Sequence, residues 1–222
     1  MNIKTYIVHC KSLLARKESV LGQIGSFENV EWYTDYDGDE LTQDIVDEWY
    51  TPNHWYERFV PEFYGGIISP MRTLGMGSIS LVIKHAMIYE KIANGPDDYA
   101  LVLEDDVLLS PDFDVIELRM DHAPEDWDMI FIGSCCDLRV TNAVPDHYFY
   151  KKLSPSTKCT DSFLITKKAA AILAKALKPF SLTIDFELNY HLHTNNMNVY
   201  WMEPPLVSQG SESGMFESTG KP

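Results

Sequence analysis

Tyr99-Ala-Leu-Val-Leu-Glu-Asp-Asp-Val107 decides how this chain is read. An apolar run of strand length ends abruptly in three adjacent carboxylates, Glu104, Asp105 and Asp106. Burying one unpaired charge is expensive, and burying three together without a partner is prohibitive. A divalent cation resolves the conflict, because clustered carboxylates suit hard ions such as Mn²⁺ or Mg²⁺. In open α/β sheets, ligands bind just beyond the carboxyl ends of the strands. Placement and chemistry therefore agree on a metal-assisted active site, in which one carboxylate can ligate the metal while another orients a water or ligand hydroxyl. Residues 104 and 106 share one face if the strand continues past them. The competing reading, a solvated acidic turn, is weakened by the Leu-Val-Leu run directly before it.

Outward from this strand, apolar segments alternate between strand and helix patterns. Lys4 to Cys10 reads as a first strand, followed by a helix from about Ser12, a good N-cap. Val30 to Thr34 reads as a second strand running into the acidic turn Asp35-Tyr-Asp-Gly-Asp-Glu40. Tyr50 to Met76 is aromatic, Gly- and Pro-rich and long for a connection, which predicts a lid or acceptor loop. From Gly77 the stripe Ile79, Val82, Ile83, Ala86 and Ile92 predicts a helix that Asn94-Gly-Pro-Asp97 stops. Ser110-Pro-Asp-Phe starts a short helix, and Trp127 to Gly133 is a buried strand. Leu138 to Leu153 reads as ribbon or loop, Ser162 to Thr166 as strand, Lys167 to Leu177 as an Ala-rich helix, and Val199 to Met202 as a last strand. The pattern predicts a single α/β domain, a mainly parallel sheet flanked by helices.

Bulk properties narrow the function. The chain has 222 residues, 45% of them hydrophobic, enough for one packed core. Eighteen basic against thirty-three acidic residues give a net charge of −15, which excludes nucleic acid as the main partner and docking on anionic membrane by charge alone. The N-terminal segment reads as too polar for a signal peptide, and no stretch has transmembrane length, so no integral membrane segment is expected. Cysteines at 10, 135, 136 and 159 show no framework spacing, and adjacent Cys135 and Cys136 make poor disulfide geometry. A soluble protein of a reducing compartment, in the cytoplasm, is the simplest expectation.

Further candidates each carry a plainer alternative. His9, Lys11 and Arg16 surround the end of strand one; Arg16 is a surface helix residue or a cation for a diphosphate. Asp35, Asp37 and Gly38 form an ordinary turn or accept from a nucleoside. His85 suits a satisfied, semi-buried position as well as a ligand contact, and Lys84 beside it is the more natural phosphate partner. Asp185 and Glu187, near His191 and His193, are general-base candidates. Asp185 could equally cap a helix, and Glu187 could pair with His191 at i, i+4.

Taken together, the motifs resemble glycosyltransferase family 25, the group of bacterial lipooligosaccharide and collagen-modifying galactosyltransferases. The family's Asp-Gly after strand two matches Asp37-Gly38, and its Gly-x-Ile-x-x-x-x-Ser-His helix matches Gly77-Ser-Ile-Ser-Leu-Val-Ile-Lys-His85. Leu-Glu-Asp-Asp-Val matches Leu103 to Val107, and Asp-x-Ile-x-x-Gly matches Asp128 to Gly133. Later segments match Phe163 to Ala170, Thr183-Ile-Asp185 and Pro204 to Gln209. Four positions depart: Lys84 replaces a Ser, Ser78 a Glu, and His9-Cys10 the usual Asn-Leu.

The resemblance implies a GT-A-like, Rossmann-type fold, with residues 1–107 as donor-nucleotide half and 108–222 as acceptor half. It implies a UDP-sugar donor, UDP-galactose first, an inverting transfer to a glycan or hydroxylated acceptor, and Mn²⁺ (or Mg²⁺) as cofactor. Donor contacts are then expected from His9, Arg16, Asp37, Gly38, Lys84, His85, Glu104 and Asp105, metal ligation from Asp106 and Glu104. Asp185 leads as base, before Glu187 and Asp161. Trp55, Tyr56, Phe59 and Tyr64 suit either stacking on sugar rings or core packing. Two other classes share these carboxylates: a non-catalytic glycan or nucleotide-sugar binder of the same fold, and another metal-dependent nucleotide-using transferase. The latter normally shows a Gly-rich or basic triphosphate loop, which the sequence lacks.

Overall fold

The computed structural model describes residues 1–52, 73–154 and 156–217. Most of the expected Tyr50–Met76 loop, with Trp55, Tyr56, Phe59 and Tyr64, lies outside the described residues.

Among the described residues, seven strands form the central sheet: β1 (Thr5–Val8), β2 (Val30–Tyr33), β3 (Tyr99–Glu104), β5 (Met129–Phe131), β6 (Phe149–Lys152), β7 (Ser162–Thr166) and β8 (Val199–Met202), in the order β2-β1-β3-β7-β5-β8-β6. A separate ribbon pairs β4 (Val107–Leu109) with β9 (Val207–Gln209). β1 is parallel to β2 and β3, β5 is parallel to β8, and β7 is antiparallel to both β3 and β5. Hence β1, β2, β3, β5 and β8 all point one way, and only β7 and the edge strand β6 oppose them. The sheet is mainly parallel with mixed pairing.

Why the strands read as continuous apolar runs is visible in their burial. On β3, Ala100 and Val102 join one apolar cluster while Leu101 and Leu103 join the other, and β5, β7 and β8 alternate in the same way. A sheet covered on both faces needs apolar residues at every position. One face is covered by α2 (Gln43–Trp49), α3 (Met76–Asn94), α5 (Lys167–Ala176) and α6 (Ile184–Thr194), through residues such as Trp49, Val82, Ile83, Leu173 and Leu188. The other is covered by α1 (Leu14–Gln23), α4 (Val115–Met120) and the β4–β9 ribbon, through Val20, Ile116, Val107 and Val207. No described helix is long and apolar enough to cross a membrane.

Several sequence expectations are corrected. The strand does not run through the acidic triplet: it ends at Glu104 and turns at Asp105-Asp106, so 104 and 106 are not alternate residues of one strand. Ser12 does not cap α1; the N-cap is Leu13, without a side-chain bond, and the Ser12 hydroxyl lies 3.2 Å from Cys10 Sγ. Helix α2 was not expected from periodicity, because it is only seven residues long. The cysteines are not all thiols, since Cys135 and Cys159 form a disulfide. The β5–β7 pairing explains this, as it brings the exit of β5 beside the entry of β7.

Candidate active site

Strand register gathers the functional residues at one edge. Val8 of β1 lies level with Tyr33 of β2 and Glu104 of β3, so all three strands end together. Because β7 is antiparallel, its start lies at that same edge, with Ser162 opposite Leu103 and the Asp161 carbonyl accepting from the Glu104 N–H at 2.8 Å. A cleft of about 380 Å³ opens there, lined by His9, Arg16, Lys84, Glu104, Asp105, Asp106, Thr160, Asp185 and Gln209 among others. Ser12 and Leu13 before α1, and Gly77 and Ser78 in the first turn of α3, also line it. Neither helix has a side-chain N-cap bond, and both bring the positive end of the helix dipole to the cleft.

The three consecutive carboxylates have three different environments. Asp105 turns back toward β1: His9 Nδ1 donates to its Oδ2 at 2.8 Å, the Cys10 N–H to the same oxygen at 3.2 Å, and Arg16 Nη1 to Oδ1 at 2.8 Å. Burial alone would raise this carboxyl, but the His9 and Arg16 bonds and the Arg16 charge hold it below the usual range. Asp106 is buried, and its Oδ1 has no partner among the described residues; Arg16 Nη1 stands 3.9 Å from Oδ2. Glu104 accepts from Thr160 Oγ1 at 2.8 Å, and burial, then repulsion from Asp106, Asp185 and Asp161, push it well above the ordinary value.

Two further acids complete the group. Burial pushes Asp185, at the first turn of α6, up to about 6, against hydrogen bonds from its own N–H and from Thr160. Its Oδ1 has no partner among the described residues. Burial pushes Asp161 up to about 7 despite a 2.8 Å bond from Ser162 Oγ. Glu104, Asp106, Asp161 and Asp185 thus repel one another while unpartnered oxygens remain on the last three.

Such a site suits a cation. Among the described residues no three carboxylates converge to ligand distance; the one three-residue group that does is made of cysteines. Mg²⁺ and Mn²⁺ commonly take only one or two carboxylates and fill the remaining positions with water and phosphate oxygens. Asp106, with its orphaned oxygen, and Glu104, facing the cleft, fit that mode.

The profile of glycosyltransferase family 25, described as LPS biosynthesis protein, matches residues 3–188. The chain belongs to glycosyltransferase family 25. No curated protein sequence matches it significantly. Among solved structures, the inositol-1-phosphate CTP transferase from T. maritima is similar, with a TM-score of 0.42 and 11% identity over 93% of this chain and 89% of that one.

In this family-25 chain the cleft collects His9, Arg16, Gly38, Lys84, Glu104, Asp105, Asp106 and Asp185 from the expected set. The others lie elsewhere. Asp37 is buried and fully engaged: Lys84 Nζ bonds its Oδ1, and the Lys11 N–H donates to Oδ2 at 2.9 Å. Burial opposes ionisation of Asp37, but the Lys84 and Lys11 bonds outweigh it and hold the carboxyl low. Lys84 also donates to the His9 carbonyl at 2.5 Å, so it is not the free phosphate partner expected from sequence. His85 does not line the cleft. It stacks on Phe163 in the core, donates from Nδ1 to the Leu81 carbonyl, and is driven by burial to about 4, hence neutral.

Glu187 does not line the cleft either. Its Oε1 accepts from the Ser181 and Leu182 N–H groups at 2.7 and 2.8 Å, and Oε2 lies 3.3 Å from His191. Those bonds fix the entry to α6 and consume the carboxylate a base would need.

Thr160 is the residue that sequence reasoning missed. It carries no motif, and its place beside Glu104 and Asp185 follows only from the segment 156–161 being fastened down. Asn189 Oδ1 accepts from the Ser156 and Thr157 N–H groups, and buried Lys158 pairs with Glu203 at 2.9 Å.

Two stability results are expected here. Lys84→Met should cost about 3–5 kcal/mol, since it strands the buried Asp37 charge, and adding Asp37→Leu should restore most of the loss. Urea denaturation of both variants measures this. For Asp161, the folded carboxyl binds its proton more tightly than the unfolded one, so its contribution is complete below about pH 4 and lost as pH rises through about 7. Asp161→Asn should therefore gain on wild type by roughly 5–10 °C in Tm between those two pH values. Parallel melting curves across the range would show no such divergence if the carboxyl titrated normally.

Proposed function

We propose that the chain is a metal-dependent inverting glycosyltransferase that moves a sugar, galactose in the first instance, from a UDP-sugar to a hydroxyl of a glycan or hydroxylated acceptor. The observation that carries this reading is the pair Asp106 and Asp185. Each presents a buried carboxylate oxygen without a partner among the described residues, and both line the same cleft at the carboxyl edge of the sheet.

Asp106 and Glu104 would hold Mn²⁺ or Mg²⁺, which supplies Lewis-acid stabilisation of a departing diphosphate. His9 and Arg16 keep Asp105 ionised and fixed, which sets the turn that aims Asp106 into the cleft. The starts of α1 and α3, which line the cleft, offer backbone donors and positive dipole ends to phosphate oxygens. Gly38 lies against the start of α3: a β-carbon there would sit 3.2 Å from the Met76 carbonyl carbon, so a side chain would push the two segments apart.

Asp185 acts as the base. As the acceptor oxygen bonds the anomeric carbon and the bond to the diphosphate breaks, the hydroxyl proton passes to Asp185. A carboxyl raised to about 6 is ionised at neutral pH yet basic enough to take that proton. Thr160 positions both acids by contacting Glu104 and Asp185. The N-terminal residues supply most of the donor side of this scheme, and Asp185, Gln209 and Ser211 belong to its acceptor side.

The test is calorimetric titration of UDP into wild-type protein with and without Mn²⁺. Binding only with the metal supports the reading, followed by release of UDP from UDP-galactose. Absence of UDP binding in either condition would sink the UDP-sugar assignment.

A further inference from the structure

Cys135, Cys136 and Cys159 stand together at the rim of the cleft. The first two occupy the short 3₁₀ turn Cys135–Asp137 that follows β5, and the third precedes Thr160. All three sulfurs lie within 4.8 Å of one another, with Cys136 Sγ 3.6 Å from Cys135 Sγ and 3.9 Å from Cys159 Sγ. The Cys135–Cys159 disulfide accounts for two of them; Cys136 is exposed and unoxidised, and although chain adjacency brings it near Cys135, its sulfur is also turned toward Cys159, 23 residues away. Cys136 and Cys159 both adopt positive φ, 55° and 57°, a conformation that costs energy in residues with a side chain.

We propose that in the reduced chain these three cysteines form a binding site for a soft cation of the Zn²⁺ class, separate from the carboxylate site. Reduction requires an external dithiol: its two sulfurs supply two electrons and two protons, the Cys135–Cys159 bond breaks to two thiols, and the dithiol closes to its own disulfide. On metal binding the three thiols release their protons to solvent, and three sulfur–metal bonds form. A fourth position is open to water or to Glu212, whose Oε1 already accepts from the Cys136 N–H at 2.6 Å.

Ligand softness makes the two sites selective. Thiolates favour Zn²⁺ and Cu⁺, whereas carboxylates favour Mn²⁺ and Mg²⁺. A cation on the three sulfurs would bridge the same two segments as the disulfide, the exit of β5 and the approach to β7. Thr160 would then keep its place against Glu104 in either redox state.

Cd²⁺ titration of the fully reduced, folded protein tests the proposal through thiolate-to-metal charge-transfer absorbance, which carboxylates do not produce. The expected result is a band that saturates at one Cd²⁺ per chain, is displaced by Zn²⁺ and is absent from the oxidised protein. Cys136→Ser, an exposed and structurally mild change, should weaken binding by more than about 100-fold, beyond the loss typical of an outer-sphere partner. Cys10→Ser and Asp106→Ala should retain the band, which separates this site from the carboxylates. No band in reduced folded protein, or an undiminished band in Cys136→Ser, overturns the proposal.

Discussion

Asp106→Ala is expected to abolish the Mn²⁺-dependent part of UDP binding and to lower kcat by about 10³-fold or more, the scale of the several kcal/mol a bound metal contributes. Its effect on stability should run the other way. Asp106 is buried with an unpartnered oxygen, and its charge raises the carboxyls of both Glu104 and Asp161. Removing it relieves repulsion in the unliganded protein, so Tm should hold or rise while function disappears. That opposition is the mark of a residue kept for its ligand. Calorimetry with Mn²⁺ and UDP, paired with thermal melts, reads both quantities. A melting point lowered by several degrees would make Asp106 a structural residue instead.

Asp185→Asn should leave UDP affinity within about twofold of wild type and cut kcat by roughly 10²–10⁴, the range associated with a positioned base. The pH profile gives the sharper discrimination. The base must be ionised to accept a proton, so wild-type kcat should climb with pH and level off above the folded value of about 6. In Asp185→Asn that acidic limb should vanish from whatever activity remains. Loss of UDP binding along with turnover would place Asp185 on the donor or metal rather than the acceptor hydroxyl.

What the sequence disclosed and what it hid separate along a physical line. β3, β7 and β8 were legible because a sheet covered on both faces demands unbroken apolar runs, and the long helix α3 because its stripe repeats over nineteen residues. The acidic triplet stood out because carboxylates seldom follow a buried strand without reason. Pairing was not legible. That Asp105 belongs to His9 and Arg16, that Lys84 neutralises Asp37, and that Glu187 serves backbone N–H groups all depend on side chains meeting across 5 to 96 positions of sequence. His85 illustrates the same limit: its helix face was readable, but only the rings of Phe163 and Tyr89 identify it as core. The disulfide was hidden because a separation of 24 residues acquires meaning only after β7 is known to lie beside β5.

The insertion of β7 between β3 and β5 also governs when the site can exist during synthesis. β7 is translated after both neighbours, so until residue 166 has emerged, β3 and β5 each carry a bare hydrogen-bonding edge and cannot share a sheet through it. A nascent chain therefore already holds the whole Glu104–Asp106 triplet while lacking Thr160, Asp185 and the sheet that aligns them. Its β1–β3 residues are finished early, yet the pocket closes only through contacts distant in sequence, the slow class of folding event. An incomplete polypeptide of this kind carries the acidic turn without the cleft that gives it a setting.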